Sequence, residues 1–288
     1  MGALLKAKPA RPEEGASQVV EIACDTIRRF MATSETSQEA HTVAVDPSSP
    51  PKVSIVVPAF NEAVRIGESL QRIETFIKGM PWDAEVIVVD DGSRDDTSLM
   101  VNRMKFPGLR LIRNETNHGK GFAVKAGVLS AKGNYVLFTD ADLSAPIDEL
   151  AKLLSVAEEQ LADIVIGSRA VDRSFIEKHQ SPGREIGGMV FNLMVRIILA
   201  LRIHDTQCGF KLFRRANTLP VFEKMTITGF GFDPELLFLA SRARLKILEV
   251  PVRWSHAEGS KIRFMRDSIR MFSDLLRIRW NQISGRYS

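Results

Sequence analysis

Five short apolar runs, separated by segments with helical periodicity, constrain the fold of this chain more than any other feature. The runs cover residues 53–57, 85–89, 109–112, 135–138 and 164–166. Each has the length of a buried strand, and strands that alternate with helices build a mostly parallel sheet with helices on both faces. The sequence therefore predicts an α/β, Rossmann-like fold.

Polar residues follow the runs where the predicted strands end. In an open parallel sheet, ligands bind outside the carboxyl ends of the strands, so these residues mark the predicted site. They comprise Pro58 and Glu62 after the first run, Asp90 and Asp91 after the second, Lys120 within His-Gly-Lys-Gly after the third, Asp140 and Asp142 after the fourth, and Arg169 after the fifth. The glycines and free amide groups around residue 119 open a predicted helix and suit a phosphate.

Asp140 and Asp142 stand one residue apart directly after a buried run. Side chains at i and i+2 of an extended segment point the same way, so the two carboxylates are predicted to lie together. Like charges this close need a cation, and a divalent metal that carries a phosphate-bearing substrate meets that need. The alternative is that Asp142 caps the turn into a helix after Leu143.

The loops after the predicted strands exclude several nucleotide-binding classes. No Gly-x-Gly-x-x-Gly opens the first helix, as a dinucleotide-binding domain requires, and no Walker-type phosphate loop occurs. The Gly-rich, Arg-containing loop of a nucleotidyltransferase is also missing after the first strand. The dehydrogenase, NTPase and nucleotidyltransferase interpretations are therefore rejected.

Charge and cysteine content limit the partners and the compartment. The net charge of +4 is modest, but residues 261–286 hold seven basic side chains against two acidic ones. This concentration predicts a local anionic partner and no general nucleic-acid binding. The two cysteines, Cys24 and Cys208, have neither a pairing nor a metal-ligand spacing, which favours a reducing, cytoplasmic setting.

Three segments of different character follow one another along the chain. Residues 1–52 hold a possible short helix at 18–31 and a Ser/Thr/Pro-rich linker, and we expect weak order there. Residues 53–260 form the predicted α/β domain, and residues 261–288 form a basic C-terminal helix. The apolar run at 189–201 is too short to cross a bilayer and is either a buried core helix or an interfacial one.

Longer motifs occur at 58–62 (Pro-Ala-Phe-Asn-Glu), 88–93 (Val-Val-Asp-Asp-Gly-Ser), 140–142 (Asp-Ala-Asp), 167–169 (Gly-Ser-Arg), 205–213 (Asp-Thr-Gln-Cys-Gly-Phe-Lys-Leu-Phe), 232–237 (Phe-Asp-Pro-Glu-Leu-Leu) and 258–261 (Glu-Gly-Ser-Lys). With these motifs the chain from residue 53 to its end resembles the family-2 glycosyltransferases of the GT-A fold. The later motifs resemble the polyprenyl-phosphate hexosyltransferases, and among these the dolichyl-phosphate β-glucosyltransferases most.

The resemblance implies a donor site for a nucleotide sugar, with UDP-glucose favoured and mannosyl transfer from GDP-mannose as an alternative. Its residues would be Pro58, Glu62 and Asp91 around the nucleoside, Asp90 beside them, Lys120 on the nucleotide, and Asp140 and Asp142 as ligands of Mg²⁺ or Mn²⁺. A metal there would stabilise the charge that the departing diphosphate gains.

The resemblance also implies a polyprenyl phosphate as acceptor. Its phosphate oxygen is already anionic near neutral pH, so no strong general base is needed, and a single displacement would invert the anomeric configuration. Two anions in one site need cations besides the metal, for which Arg169, Arg184 and Lys261 are the candidates.

Asp233 stands where relatives with hydroxyl acceptors carry a general base. It either serves as that base in an enzyme with a hydroxyl acceptor, or positions basic groups or sugar hydroxyls, or caps the helix that begins at Pro234. A sugar-nucleotide sensor without catalysis is a third function class. The intact acidic pair and the acceptor motifs argue against it.

The polar first segment lacks the membrane-spanning helix with which such glucosyltransferases usually begin, so we expect peripheral attachment to the membrane. Residues 262–280 are predicted to form an amphipathic helix. Its basic stripe comprises Arg263, Arg266, Arg270 and Arg277, and its apolar stripe comprises Met265, Ile269, Phe272 and Leu276. The apolar stripe either packs on the domain or faces the membrane.

Overall fold

The computed structural model describes residues 51–178, 182–256 and 264–287, without the side chains of Pro182, Arg184 and residues 264–267. Within these ranges the strands are β1 (Val53–Ala59), β2 (Ala84–Asp91), β3 (Leu109–Asn114), β4 (Tyr135–Thr139), β5 (Ile164–Ser168), β6 (Ile176–Lys178), β7 (Phe210–Arg214), β8 (Ile247–Pro251) and β9 (Trp254–Ser255).

The α-helices in the same ranges are α1 (Ile66–Lys78), α2 (Thr97–Arg103), α3 (Lys120–Ser130), α4 (Glu149–Glu159), α5 (Pro182–Leu199), α6 (Arg215–Lys224), α7 (Phe232–Arg242) and α8 (Phe264–Ile283). The predicted helix at 18–31 and residues Lys261 and Arg263 lie outside the described part of the chain.

The main sheet has the strand order β3-β2-β1-β4-β7-β5-β8. All neighbouring strands are parallel except β7, which runs antiparallel to both β4 and β5. The five predicted strands are present as β1 to β5, and the mostly parallel α/β fold is confirmed. Because β4 and β5 both oppose β7, they run in the same direction, and their carboxyl ends meet at one rim of the sheet.

Apolar packing on both faces makes the sheet a firm support for that rim. On one side Ile66, Leu70 and Ile73 of α1 recur with helical spacing and are fully buried. On the other side α3 lies close to the sheet at Gly127, where a Cβ atom would come within 2.3 Å of Val56 Cγ1. A larger residue there would push the helix away from β1.

Helices α5 and α8 each bury one face and expose the other. Helix α5 buries Val195 and Leu199 on one face, whereas Ile197 on the other face is 70% exposed. The interpretation of residues 189–201 as a buried core helix is therefore wrong for the outer face of α5. Helix α8 is confirmed as an amphipathic C-terminal helix, and it turns Met271, Leu275 and Ile278 towards the protein. No helix of the described residues is long and apolar enough to span a membrane.

Candidate active site

A tight turn after β4 carries the two carboxylates predicted to bind a metal. Asp140 N donates to Gly209 O (3.1 Å) and Leu143 N donates to Asp140 O (3.1 Å), with Leu143 in the left-handed region at φ +47°. Asp142 Oδ1 accepts from Ser144 N at 3.0 Å. Asp142 thus caps the turn that follows β4, as the alternative held, and helix α4 itself begins at Glu149.

Lys120, the first residue of α3, forms an ion pair with Asp140, in which Nζ lies 2.6 Å from Oδ1. Burial alone would lower the pKa of Lys120, but the charges of Asp140, Asp233 and Asp142 raise it above its usual value. The ammonium group is therefore charged, and it lies beside the predicted metal ligands.

Gly209 leaves the space that the Asp140 carboxylate occupies. A Cβ atom on Gly209 would lie 2.0 Å from Asp140 Oδ2 and 2.4 Å from its Cγ. Any side chain at this position would displace the carboxylate. Sequence analysis did not identify this role, although Gly209 lies inside one of the motifs.

Arg65 links the end of β1 to the acidic pair. Its Nε lies 2.8 Å from Glu62 Oε2, and its Nη1 lies 3.8 Å from Asp142 Oδ2. Glu62 is thereby close to the turn that carries Asp140 and Asp142, and Pro58 precedes it within β1. Sequence analysis missed Arg65, because nothing in its local pattern distinguishes it from a surface arginine.

Asp90 and Asp91, at the end of β2, are buried and hydrogen-bonded inside the protein. Asp90 accepts from Ser93 N (2.9 Å) and from the Ser98 hydroxyl group. Asp91 Oδ2 accepts from the backbone N–H groups of His118 (3.0 Å) and Gly119 (2.7 Å).

These bonds correct the expectation of free amide groups for His118 and Gly119, which precede the first residue of α3. The Asp91 carboxylate lies beside that helix terminus, where N–H groups and the helix dipole favour negative charge. Asp90 and Asp91 hold the loops around the site in place, and their contact with a nucleoside stays a prediction.

Asp233 lies inside α7 and not at its N-cap, which is Gly231. The prediction that Asp233 caps a helix beginning at Pro234 is therefore wrong. Its carboxylate pairs with Lys211 of β7, whose Nζ lies 2.5 Å from Asp233 Oδ1. Sequence analysis missed Lys211, although a lysine inside the apolar Phe-Lys-Leu-Phe segment requires a buried partner.

Arg169 follows β5 on the same rim and is held by Asp205. Its Nε and Nη2 lie 2.7 and 2.8 Å from the two carboxylate oxygens, and its Cζ lies 5.3 Å from the centre of the Trp254 ring. Burial alone would lower the pKa of Arg169, but the negative charge of Asp205 raises it above its usual value. Burial alone would raise the pKa of Asp205, but the charge and hydrogen bonds of Arg169 lower that pKa to about 2.

A cavity of about 150 Å³ opens beside Arg169. Its lining includes Arg169, Arg173, Asn192, His204, Gln207 and Trp254. Arg184 belongs to α5, next to Glu185 of the cavity wall, but its side chain is outside the described part of the chain, as is Lys261. Of the three acceptor-side candidates, Arg169 is the one whose side chain the structure describes, and it lines this cavity.

The residues present fit a divalent metal that is completed by its substrate. Among the described residues no group of three or more His, Cys, Asp or Glu side chains is arranged to hold a metal. Asp140 and Asp142 offer hard oxygen ligands, and Mg²⁺ and Mn²⁺ sites in transferases commonly use one or two carboxylates together with substrate phosphates and water.

Comparison with known proteins gives relatives over most of the chain. Dolichyl-phosphate β-glucosyltransferases from Dictyostelium discoideum, Saccharomyces cerevisiae and Homo sapiens share 34%, 36% and 35% sequence identity with this chain, respectively. The matches cover 81%, 82% and 82% of this chain and 75%, 76% and 78% of the relatives.

Solved structures with the same fold include glucosyl-3-phosphoglycerate synthase from Mycobacterium tuberculosis (TM-score 0.60, 21% identity, 79% of this chain and 80% of that one). Mannosyl-3-phosphoglycerate synthase from Rubrobacter xylanophilus has a similar fold, with a TM-score of 0.60 and 20% identity. The match covers 82% of this chain and 76% of that one. The family model described as glycosyl transferase family 2 matches residues 54–218. The chain belongs to glycosyl transferase family 2, and it is a GT-A-fold glycosyltransferase similar to the dolichyl-phosphate β-glucosyltransferases.

Proposed function

We propose that this protein transfers glucose from UDP-glucose to a polyprenyl phosphate of the dolichyl type, with inversion at the anomeric carbon. The observation that carries the proposal is the position of two charged sites on one rim: the Asp140 and Asp142 carboxylates after β4, and the Arg169 cavity after β5. The names of the relatives support the sugar and the acceptor.

The donor side is proposed to hold the nucleotide diphosphate at the turn after β4. Asp140 and Asp142 would bind Mg²⁺ or Mn²⁺, which would stabilise the charge on the leaving diphosphate. A neighbour of the same fold was solved with Mn²⁺ and UDP-glucose, which supports a divalent metal. Lys120 lies near enough to these carboxylates to reach the same diphosphate with its ammonium group.

The acceptor side is proposed to be the cavity beside Arg169. Two of the guanidinium nitrogens pair with Asp205, and this bidentate contact fixes the orientation of the group beside the cavity. Arg184 and Lys261 are proposed to add positive charge there. The phosphate oxygen would attack the anomeric carbon while the bond from that carbon to the diphosphate breaks, and the diphosphate leaves with the electron pair.

Competition between donors tests the sugar and the nucleotide. UDP-glucose, UDP-N-acetylglucosamine and GDP-mannose are offered together with polyprenyl phosphate and Mn²⁺, and the lipid products are separated by mass. We expect glucosyl lipid to dominate. A clear preference for GDP-mannose would show that the proposed donor is wrong.

The outer faces of α5 and α8 are proposed to bring the enzyme to the lipid. Within α8, Ile269 (64%), Leu276 (53%) and Trp280 (68%) are largely exposed, on the side opposite the buried Leu275 and Ile278. Among these described residues the predicted apolar stripe therefore faces away from the domain. Helix α5, which packs against α8, exposes a stripe of its own: Ile186, Met189, Val190, Leu193 and Ile197.

The charges around these stripes match an anionic bilayer surface. Exposed arginines lie on both helices and just after α5, at Arg196, Arg202, Arg270, Arg277 and Arg279. The acidic side chains described on the same helices are partly buried, with Glu185 paired to Arg173 (2.7 Å) and Asp274 packed against Gly231. Each arginine near an anionic leaflet contributes about 1 kcal/mol.

Sedimentation with anionic and with neutral vesicles tests this attachment. Replacing Ile269 and Leu276 with Ser, or Arg270 and Arg277 with Gln, should each reduce binding to anionic vesicles by tenfold or more. Leu161→Ser is the matched control, because Leu161 is 72% exposed and lies just after α4, on neither of these helices. Equal binding by all variants would refute attachment through these helices.

A further inference from the structure

Tyr287, which follows α8, is buried against the domain. Its side chain is 7% exposed, and its hydroxyl group donates to Glu235 Oε1 of α7 at 2.6 Å. Lys224 Nζ donates to the backbone carbonyl oxygen of Tyr287 at 2.9 Å. Within α8, Asn281 Nδ2 donates to the Tyr287 hydroxyl at 3.3 Å and to Thr226 Oγ1 at 3.0 Å. Polar contacts thus join the C-terminal segment to α7 and to the loop between α6 and α7.

Glu235 holds that loop with the same carboxylate. Its side chain is fully buried, and besides Tyr287 it accepts from Thr226 N (2.9 Å), Thr226 Oγ1 (2.7 Å) and Ile227 N (2.8 Å). Burial and the hydrogen bond to Glu235 raise the pKa of Tyr287 to about 12, so its hydroxyl remains a donor at neutral pH. A buried carboxylate needs all of its donors, and without this one the loop is held less firmly.

The loop between α6 and α7 packs in turn against the first turn of α3. Phe122 N donates to Thr228 O at 3.1 Å. A Cβ atom on Gly119 would lie 2.5 Å from Thr228 O, and one on Gly121 would lie 2.7 Å from Ile227 O. The two glycines stand on either side of the first residue of α3, so the loop fixes the position of that residue.

This first residue is Lys120, whose ammonium group is proposed to reach the donor diphosphate. Its Nζ lies 2.6 Å from Asp140 Oδ1. An ammonium group that must meet a carboxylate and a diphosphate in one site needs a fixed backbone beneath it. A continuous series of contacts thus runs from Tyr287 through Glu235 and the loop to Lys120.

We propose that Tyr287 is a positioning residue for the donor site, which acts through Glu235 and the loop between α6 and α7 to hold Lys120 where it contacts the diphosphate. The inference rests on the donor site of the proposed function. It gives the end of α8 a role besides attachment to lipid, because Asn281 and Tyr287 hold this end against the same loop. By linkage, a contact that raises the affinity for nucleotide is itself stabilised by nucleotide to the same extent.

The affinity for UDP in the presence of Mn²⁺, measured by calorimetry on the full-length chain, tests the proposal. Tyr287→Phe removes only the hydroxyl group, and we expect UDP to bind about five- to tenfold more weakly. Tyr135→Phe is the matched control, because Tyr135 is also buried but lies at the amino end of β4, away from the rim that carries the site. This control should bind UDP as the wild type does.

A double variant separates positioning of Lys120 from general destabilisation. The ammonium group is already absent in Lys120→Met, so adding Tyr287→Phe should weaken UDP binding no further. The KM for polyprenyl phosphate should change by less than about twofold in Tyr287→Phe, because Lys120 lies on the donor side. Wild-type UDP affinity in Tyr287→Phe, or a full additional loss in the double variant, would overturn the proposal. Unchanged UDP affinity in Lys120→Met would instead refute the donor contact on which the proposal rests.

Hydrogen exchange in the wild-type chain provides a second measurement, in case Tyr287→Phe does not fold. Because linkage is reciprocal, UDP with Mn²⁺ should slow the exchange of amides in residues 281–287 about five- to tenfold. The amides of Thr226 and Ile227, which donate to Glu235, should be slowed with them. Exchange in both segments that is the same with and without nucleotide would contradict the proposed connection between the C-terminal segment and the donor site.

Discussion

Lys120 Nζ lies 2.6 Å from Asp140 Oδ1, so the cation predicted to face the nucleotide already pairs with a carboxylate predicted to hold the metal. A metal ion that binds Asp140 must compete with this ammonium group. The diphosphate of the donor offers the ammonium a second anionic partner. We therefore expect metal and donor to bind with positive cooperativity.

Lys120→Met should separate the competition of the ammonium group with the metal from its attraction to the donor diphosphate. Without the competing charge, Mn²⁺ should bind more tightly in the absence of nucleotide, whereas UDP should bind at least about tenfold more weakly because a charge-assisted contact is lost. Mn²⁺ titration followed by electron paramagnetic resonance and calorimetry with UDP measure the two affinities. Lys105→Met, at an exposed lysine, is the matched control. An unchanged Mn²⁺ affinity in Lys120→Met would show that the ammonium does not compete.

Gly209→Ala should weaken metal binding by displacing Asp140. The added methyl group would lie 2.0 Å from Asp140 Oδ2, so the carboxylate must move. We expect Mn²⁺ affinity to fall about tenfold or more, as when the orientation of a metal ligand is disturbed. Gly229→Ala, where a Cβ atom meets nothing within 4 Å, should leave Mn²⁺ affinity unchanged. Similar affinities for the two alanine variants would disprove the role of Gly209.

Asp142→Asn should abolish metal-dependent transfer while preserving the fold. An asparagine Oδ1 can still accept from Ser144 N, so the melting temperature should change by only a few degrees. One of the two charges that hold the cation is lost, and we expect transfer to fall at least about a hundredfold at low Mg²⁺. Wild-type activity at saturating donor and low Mg²⁺ would refute the metal assignment.

Arg169→Ala should raise the KM for polyprenyl phosphate more than the KM for UDP-glucose. A charge-assisted bond to a phosphate contributes about 1.5–3 kcal/mol, which corresponds to a change of about ten- to a hundredfold. Steady-state kinetics with each substrate varied in turn measure the two constants. If only the KM for the donor rose, Arg169 would belong to the nucleotide site.

The Arg169–Asp205 pair should also make stability depend on pH. Because Arg169 lowers the pKa of Asp205 to about 2, the pair stabilises the fold above the unfolded-state pKa of about 4. This contribution, of about 2 kcal/mol, is lost as the pH falls from about 4 to about 2. The free energy of unfolding, measured with urea between pH 6 and pH 2, should fall less steeply with decreasing pH in Arg169→Ala than in the wild type. Equal slopes would show that the pair does not cause the decline.

The parallel part of the fold was predictable because its strands are continuous apolar runs whose ends are marked by polar residues. Strand β7 was not predicted, because Lys211 interrupts its apolar pattern and its place between β4 and β5 depends on pairing with residues far away in the chain. The acidic turn after β4 was predictable for the opposite reason, since Asp140 and Asp142 are neighbours in sequence.

Contacts between distant segments account for most of what sequence analysis missed in the site. Lys211 and Asp233 are separated by 22 residues, and Arg169 and Asp205 by 36. Periodicity describes one segment at a time and cannot show which charges pair. The exposed apolar stripe of α8 is a similar case, because its pattern fitted packing on the domain as well as exposure.

The structure of the lipid product tests the central claim most directly. Polyprenyl phosphate, UDP-glucose and Mn²⁺ are incubated with the chain, and the product is analysed by mass spectrometry and by NMR of the anomeric proton. Our account predicts a single glucose in β-linkage to the phosphate, and no such product with Asp142→Asn. An α-linked product, glucose attached to a hydroxyl group, or release of free glucose alone would contradict it.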